Sequence, residues 1–308
     1  MRNKIVITGG AGFLGRHLCN KLLPNNQVIC VDNFLTGKKK NISEFLGNPN
    51  FKFIKHDIKK KIYIKCDQIF HFASPASPIQ YQKDPINTLL TNVLGTYNML
   101  NLSVLNKCEF ILASTSEIYG DPKQSPQNEN YFGNVNTIGP RACYDEGKRS
   151  AETLAFDFKR KLNAKVKVLR IFNTYGPYMD KNDGRVVSNF IINSLKNENI
   201  IINGDGKSTR SFCYVDDLIN GIIKLSKIKK NLNKPVNIGN DDEISINKLA
   251  SKIIKLNKSK SKIKYSNALV NEPRKRKPDL KLIKTLIKWS PEVNLQNGLI
   301  KTTNYFKK

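Results

Sequence analysis

The sequence predicts an α/β fold, a doubly wound parallel sheet with a smaller C-terminal lobe. Three observations carry that expectation. Short β-rich runs alternate with helical stretches through the first half, a glycine-rich turn joins the first run to the first helix, and beyond Asn173 the pattern breaks into shorter pieces. The 308 residues are 39% hydrophobic and 25% charged, which suffices for a buried core and excludes disordered and collagen-like classes. No run approaches the roughly 18 apolar residues of a membrane span. Met1 to Lys4 leads directly into Ile5-Val6-Ile7 and the glycine turn, which reads as a buried strand rather than a signal peptide.

Taken in order, strands are expected at 4–8, 27–32, 51–57, 68–73, 109–114 and 167–171, and helices at 13–23, 85–104, 144–162 and 187–196. Strands separated by crossover helices pair in parallel, and ligands then bind at the carboxyl edge where the strand order reverses. Further helices are expected at 216–226, 245–256, 279–287 and 295–306, forming the smaller lobe over that edge. The division is residues 1–173 for the sheet domain and 174–308 for the lobe, with a nominal boundary.

The net charge of +27 raises the question of nucleic acid. Only 10 of the 52 basic residues are Arg, the lysines are spread along the chain, and aromatics make up 9%. A solvated lysine-rich surface with weak nonspecific adhesion fits better than specific nucleic-acid readout. The cysteines, Cys19, Cys30, Cys66, Cys108, Cys143 and Cys213, form no C-x-x-C pair, and there are three His. No metal site is expected, and buried free thiols in a reducing compartment are the plain reading.

Gly9, Gly12 and Gly15 stand between the first strand and the first helix. Such glycines permit a tight turn, let backbone approach a pyrophosphate and allow close helix–strand packing, the signature of a Rossmann-type dinucleotide site. Asp32 ends the second strand, where a carboxylate accepts hydrogen bonds from a ribose 2′-hydroxyl and repels a 2′-phosphate, so NAD is favoured over NADP.

Tyr144 and Lys148 lie one helical turn apart on one face. An ammonium beside a phenol favours phenolate, which can take a proton from a substrate hydroxyl as hydride leaves the carbon. The spacing alone is weak, since one or two such pairs are expected by chance. Tyr119 and Lys123 make another, but Gly120 and Pro122 break the helix between them. Thr115 and Glu117 follow the 109–114 strand and so emerge at the carboxyl edge, where Thr115 can hydrogen-bond the reacting hydroxyl.

Residues 8–15 (TGGAGFLG) with 144–148 (YDEGK) resemble the extended short-chain dehydrogenase/reductase superfamily. Residues 74–78 (SPASP), 114–121 (STSEIYGD), 136–148 (NTIGPRACYDEGK), 170–177 (RIFNTYGP), 183–190 (DGRVVSNF) and 276–279 (RKPD) narrow this to a resemblance to the UDP-glucuronate decarboxylase family along nearly the whole chain. That resemblance implies a tightly held NAD that is reduced and reoxidised within one turnover. Tyr144 would deprotonate the glucuronate C4 hydroxyl, CO2 would leave from the β-keto acid so formed, and reprotonation at C5 with hydride return would give UDP-xylose. Lys148 would tune Tyr144 and hold the nicotinamide ribose, Thr115 would orient the C4 hydroxyl, and Glu117 and Arg276 would act at the carboxylate and the C5 proton. The implied NAD contacts are Gly9, Gly12, Phe13, Leu14, Asp32, Asn33, Phe34, Thr36, Gly37, Asp57, Ile58, Ser74, Tyr144 and Lys148. Glu117, Arg141, Asn173, Arg185, Arg210 and Arg276 are the implied UDP-sugar contacts, Arg being suited to bidentate recognition of phosphate or carboxylate.

Two positions depart from the family pattern. Tyr178 replaces a common Arg, and Leu90 stands where relatives usually carry Lys. The resemblance further implies a cytoplasmic enzyme without the N-terminal anchor of some relatives, and a homodimer formed through helices 85–104 and 144–162. The rivals are a nucleotide-sugar 4-epimerase or 4,6-dehydratase on the same scaffold, and a non-catalytic polyanion-binding protein. Ser116 occupies the place where a dehydratase carries an acid, a 4-epimerase needs no carboxyl at Glu117, and intact Tyr144, Lys148 and Thr115 argue against a protein without catalysis.

Overall fold

Alternation along the first strand sets the layering. Ile5 and Ile7 point into one apolar cluster and Val6 into another, and all three are buried, as befits a strand covered on both faces. The computed structural model describes residues 2–268 and 273–308. Its first half runs β1 (Lys4–Thr8), α1 (Phe13–Leu22), β2 (Gln27–Asp32), β3 (Phe51–Lys55), β4 (Gln68–His71), α2 (Pro78–Lys83), α3 (Pro85–Leu105), β5 (Glu109–Thr115), α4 (Ala142–Leu162) and β6 (Lys165–Ile171). It continues with β7 (Thr174–Tyr175), α5 (Val186–Leu195), β8 (Ile200–Asn203), β9 (Thr209–Ser211), β10 (Cys213–Tyr214), α6 (Val215–Ser226) and β11 (Val236–Ile238). Last come β12 (Glu243–Ser245), α7 (Ile246–Asn257), β13 (Ile263–Ser266), β14 (Lys275–Arg276), α8 (Lys281–Ile287) and α9 (Leu295–Phe306).

Among the described residues the main sheet has seven strands in the order β11-β6-β5-β4-β1-β2-β3, and every neighbouring pair is parallel. This is the expected Rossmann-type doubly wound sheet. Helices α3 and α4 pack together, as do α1 and α6. The order reverses between β1 and β4, which opens a crevice at their carboxyl ends. From the later half, β11 pairs with β6, so the chain returns to the main sheet after building β8, β9 and α5. The smaller lobe includes the sheet β12-β9-β14 and the pair β8–β13. Its parallel register places Arg276 beside Arg210.

Among the differences from the sequence expectation, two element ends and one added helix have local reasons. β4 stops at His71 because the amides of Phe72 and Ala73 both turn onto the Thr8 hydroxyl, each at 3.2 Å. β6 begins at Lys165 because Val166 pairs with Phe110, extending the register toward the amino end. The short helix α2 was not expected, although Ser77-Pro78 is a helix-start pair.

Helix α4 is fixed to the sheet by buried polar contacts. The Lys148 ammonium donates to the Ala113 carbonyl at 2.8 Å, and Glu152 accepts from the Ser114 hydroxyl at 2.5 Å. Glu152 also receives Arg170 of β6 through Nε at 3.0 Å and Nη2 at 2.8 Å. Breaking one half of a buried pair leaves an uncompensated charge, at a cost of about 3–5 kcal/mol. Glu152→Ala should therefore lower the stability read from urea unfolding by an amount in that range, and an unchanged midpoint would show that the pair contributes nothing.

Candidate active site

A cavity of about 600 Å³ opens at the carboxyl edge of the sheet. Its walls come from the β1–α1 turn, the end of β2, the end of β5, the start of α4, residues 171–190 and the lobe strands β8, β9 and β14.

On one side the glycine turn leaves room for backbone alone. Gly9 has φ +70°, and a Cβ there would lie 2.8 Å from the Ala73 backbone, while one on Gly15 would lie 2.1 Å from the Gly9 carbonyl oxygen. Gly12 caps α1 with no side-chain hydrogen bond, and the first turn holds no acidic residue, so the leading amides suit a pyrophosphate. Asp32 is buried, its carboxylate accepting from the amides of Ala11 at 3.0 Å and Phe34 at 2.8 Å. Burial pushes its pKa up, and the bonds from Phe34, Ala11 and Asn33 pull it back. A carboxylate offers about four lone-pair sites, so capacity remains for a ribose hydroxyl. The cradle and the carboxylate together fit NAD.

On the other side stand Tyr144, Lys148 and Thr115, all buried and all lining the cavity. The electrostatics differ from the sequence expectation. Burial raises the Tyr144 pKa above its usual value, the charges of Glu117 and Asp145 add to that, and the Thr115 hydrogen bond and Arg185 oppose it. The Lys148 nitrogen lies 5.9 Å from the Tyr144 ring centre and is engaged by Ala113. Desolvation outweighs its attraction for phenolate. Burial brings Lys148 itself down to about 8, with Glu152 opposing.

Deeper in the cavity Glu117 is clamped between two guanidinium groups. Arg141 reaches its Oε2 at 2.5 Å, and Arg276 reaches Oε1 at 2.8 Å and Oε2 at 2.9 Å. Burial favours the neutral acid, but the charges of Arg276, Arg141 and Arg210 and the Arg141 hydrogen bond win, and the Glu117 pKa falls below its usual value. At neutral pH Glu117 is a carboxylate that accepts and does not donate. A short 3₁₀ turn, Ser116–Tyr119, aims it there, starting where the Thr115 hydroxyl accepts from the Glu117 amide.

The other expected substrate contacts also line the cavity. Asn173 accepts from Arg276 at 3.3 Å, Arg185 is paired bidentately with Asp183, and Arg210 donates to the Thr209 carbonyl at 2.9 Å. Of the expected NAD contacts, Phe13, Leu14, Asn33, Thr36, Ile58 and Ser74 line it too, whereas Phe34, Gly37 and Asp57 do not. Phe34 stacks on Phe53 with ring centres 4.9 Å apart, and Asp57 caps its own loop by accepting from the Lys59 amide. Gly37 acts on the site indirectly, because a Cβ there would sit 2.9 Å from both Asp32 oxygens. Leu90 is exposed on α3 outside the cavity. Tyr178 lines it, with the Arg16 guanidinium 3.6 Å from its ring centre.

Sequence reasoning missed Tyr81. It stacks on Tyr144 at 5.1 Å and 5°, lines the cavity, and its buried hydroxyl has no hydrogen-bond partner. Only the Ser77-Pro78 start signal of its short helix pointed there. Lys38 and Asp180 were missed as a pair; their ion pair at 2.6 Å links the loop after β2 to the loop after β7.

Comparison with known proteins gives a consistent result. The family model described as "NAD dependent epimerase/dehydratase family" matches residues 5–239. The chain is 49% identical to UDP-glucuronic acid decarboxylase 1 of Xenopus tropicalis over 308 residues, covering 100% of this chain and 73% of that protein. It is 47% identical to UDP-glucuronic acid decarboxylase 6 of Arabidopsis thaliana, covering 96% and 86% respectively. Among solved structures, the UDP-glucuronic acid 4-epimerase of Bacillus cereus, in complex with UDP-glucuronic acid and NAD, superposes with a TM-score of 0.90 at 30% identity over 99% of each chain.

The Asp32 geometry generates a test of cofactor choice. Asp32→Ala should narrow the preference for NAD over NADP in calorimetric titrations, because the charge opposing a 2′-phosphate is gone. Wild-type protein that binds NADP as tightly as NAD would refute the assignment.

Proposed function

The chain belongs to the NAD dependent epimerase/dehydratase family, and from that premise we propose that it decarboxylates UDP-glucuronate to UDP-xylose and CO2. The observation that carries this reading is the pairing, in one cavity, of Thr115 and Tyr144 with two arginines that a glutamate holds in place. An alcohol oxidised at C4 becomes a ketone β to the C5 carboxylate, and that arrangement loses CO2 readily because the electrons delocalise into an enolate. A site for this chemistry needs a base for the hydroxyl and cations for the acid group, and both are here.

NAD, held by the glycine turn and Asp32, supplies the hydride acceptor and donor. Thr115 orients the C4 hydroxyl and Tyr144 takes its proton. Lys148 is fixed by Ala113 beside the Tyr144 ring, placing a positive group where phenolate develops. Arg141 and Arg276 hold the sugar carboxylate or the neighbouring phosphates, and Glu117 limits the repulsion between them. Sister enzymes on this scaffold retain the carboxyl or expel a hydroxyl. Ser116 in place of an acid, and the carboxyl at Glu117, favour decarboxylation.

Incubation with UDP-glucuronate and mass spectrometry tests this directly. We expect UDP-xylose and CO2 without accumulation of NADH; UDP-galacturonate, or stoichiometric NADH, would overturn the reading. Tyr144→Phe should lower kcat about 10²–10⁴-fold with UDP-sugar binding largely kept. Turnover within a factor of about two of wild type would remove Tyr144 as the base.

We also propose a homodimer through α3 and α4. The outer face of α3 exposes Ile86, Leu89, Leu90, Leu94 and Tyr97, a contiguous apolar stripe of the kind that marks an interface. In sedimentation the wild type should run as a dimer and Leu94→Glu as a monomer; a wild-type monomer at micromolar concentration would exclude it. A cytoplasmic location is supported by the six cysteines, all of them free. Among the described residues no helix is long and apolar enough to cross a membrane.

A further inference from the structure

Asp145 follows Tyr144 in α4 and is 5% exposed, yet it makes no close ion pair. Its Oδ1 has no hydrogen-bond partner. Its Oδ2 stands 3.9 Å from Arg141 Nε, a donor that is itself buried without a partner. An ionised aspartate one turn from a guanidinium would close that gap, since charge-assisted bonds run about 2.7–2.9 Å. Arg141 instead spends its short contact on Glu117. We propose that Asp145 sets the charge at the carboxylate-binding end of the cavity, holding a proton while the acid sugar is bound, and so makes the enzyme favour UDP-glucuronate over neutral UDP-sugars. This inference rests on the decarboxylase reading.

The surroundings of Asp145 are defined on every side. Its own helix segment brings Arg141, Cys143, Tyr144 and Glu146, the turn after β5 brings Glu117, α2 brings Tyr81, and β14 brings Arg276. Helix α3, packed along α4, carries no charged residue. Burial is the largest influence and pushes the Asp145 pKa up to about 7, with Glu117 adding to it and Arg141 and Arg276 opposing. Glu117 remains a carboxylate and the arginines remain cations, so protonation of Asp145 adds one positive charge to the cluster. A sugar carboxylate gains from that charge. A glucosyl group with the same nucleotide does not.

The sign follows. Below about pH 7 Asp145 is neutral and the preference for the acid sugar is present; as pH rises through that value Asp145 ionises and the preference falls, toward a limit on the order of tenfold for a single unit charge acting from behind the Arg141 guanidinium. Calorimetry with UDP-glucuronate and with UDP-glucose, from about pH 6 to about pH 7.5, below the value of about 8 for Lys148, reads the ratio of the two affinities in wild type and Asp145→Asn. Asparagine keeps the shape and cannot ionise. The wild-type ratio should fall about threefold across that window, while the variant should hold the low-pH ratio throughout. Glu146→Gln, changing the neighbouring carboxylate, should keep the wild-type slope. UDP-glucose affinity reports whether each variant is folded, and the wild-type slope is decisive even should Asp145→Asn misfold. A flat wild-type ratio, or a slope that survives in Asp145→Asn, overturns the proposal while leaving UDP-glucuronate turnover, and thus the decarboxylase reading, intact. Absence of that turnover sinks the reading and this inference with it.

Discussion

One carboxylate organises the catalytic end of this molecule. Glu117 draws together the end of β5, the cap residue Arg141 of α4 and β14, whose Arg276 lies 159 residues further along the chain. Two guanidinium groups brought this close would repel, and burying them without a counter-charge would cost several kcal/mol each. With Glu117 between them they hold a fixed fork facing the cavity. The lobe is joined to the sheet domain at the same place, where β14, paired with β9, brings Arg276 to Glu117 and the adjoining Lys277 and Asp279 bond with Gln127. Fold and site are therefore coupled at an acidic residue, in a chain with 52 basic and 25 acidic residues.

That coupling explains how charge is handled elsewhere in the interior. Arg170 is met by Glu152, and Lys167 by Glu109 and the carbonyls of Ser226 and Ile228. Lys148 has only a carbonyl and a more distant carboxylate, and its pKa falls accordingly. Cations that serve structure are neutralised closely, and the one beside Tyr144 is left underpaired. His71, buried between Thr8 and Thr96, is kept neutral by burial, at about 3, and acts as a hydrogen-bonding strut under the glycine turn.

Much of this was legible in the sequence because it is local. The glycine spacing, the alternation in β1, and the Tyr-Lys pair on α4 each depend on residues a few positions apart, and those elements lie where the pattern placed them. The resemblance to a known family carried the reading further, to Arg141, Asn173, Arg185, Arg210 and Arg276, and the cavity contains them all. What was not legible depends on burial and on distant partners. The Tyr144 phenol is raised by desolvation that no i,i+4 spacing reveals. Phe34 follows Asp32 closely in sequence yet points elsewhere, because a positive φ turns its ring onto β3, and Asp57 is taken up by the Lys59 amide of its own loop. Tyr81 reaches the site on a helix of six residues, too short for periodicity to register.

The lysine content has a use beyond surface charge. A composition drifting toward lysine resembles a slow labelling experiment, in which positions open to water accept the amine and positions covered by something else stay unmarked. Lysine supplies 42 of the 308 residues, so a 21-residue helix would carry about three at the average, yet α3 carries none. Its inner face is protected by the sheet and α4. Its outer face is left exposed by the described residues and is unmarked all the same, which is the footprint that the proposed self-association would leave. In any chain with the same drift, gaps in the lysine label along an exposed helix trace contact surfaces before a partner has been seen.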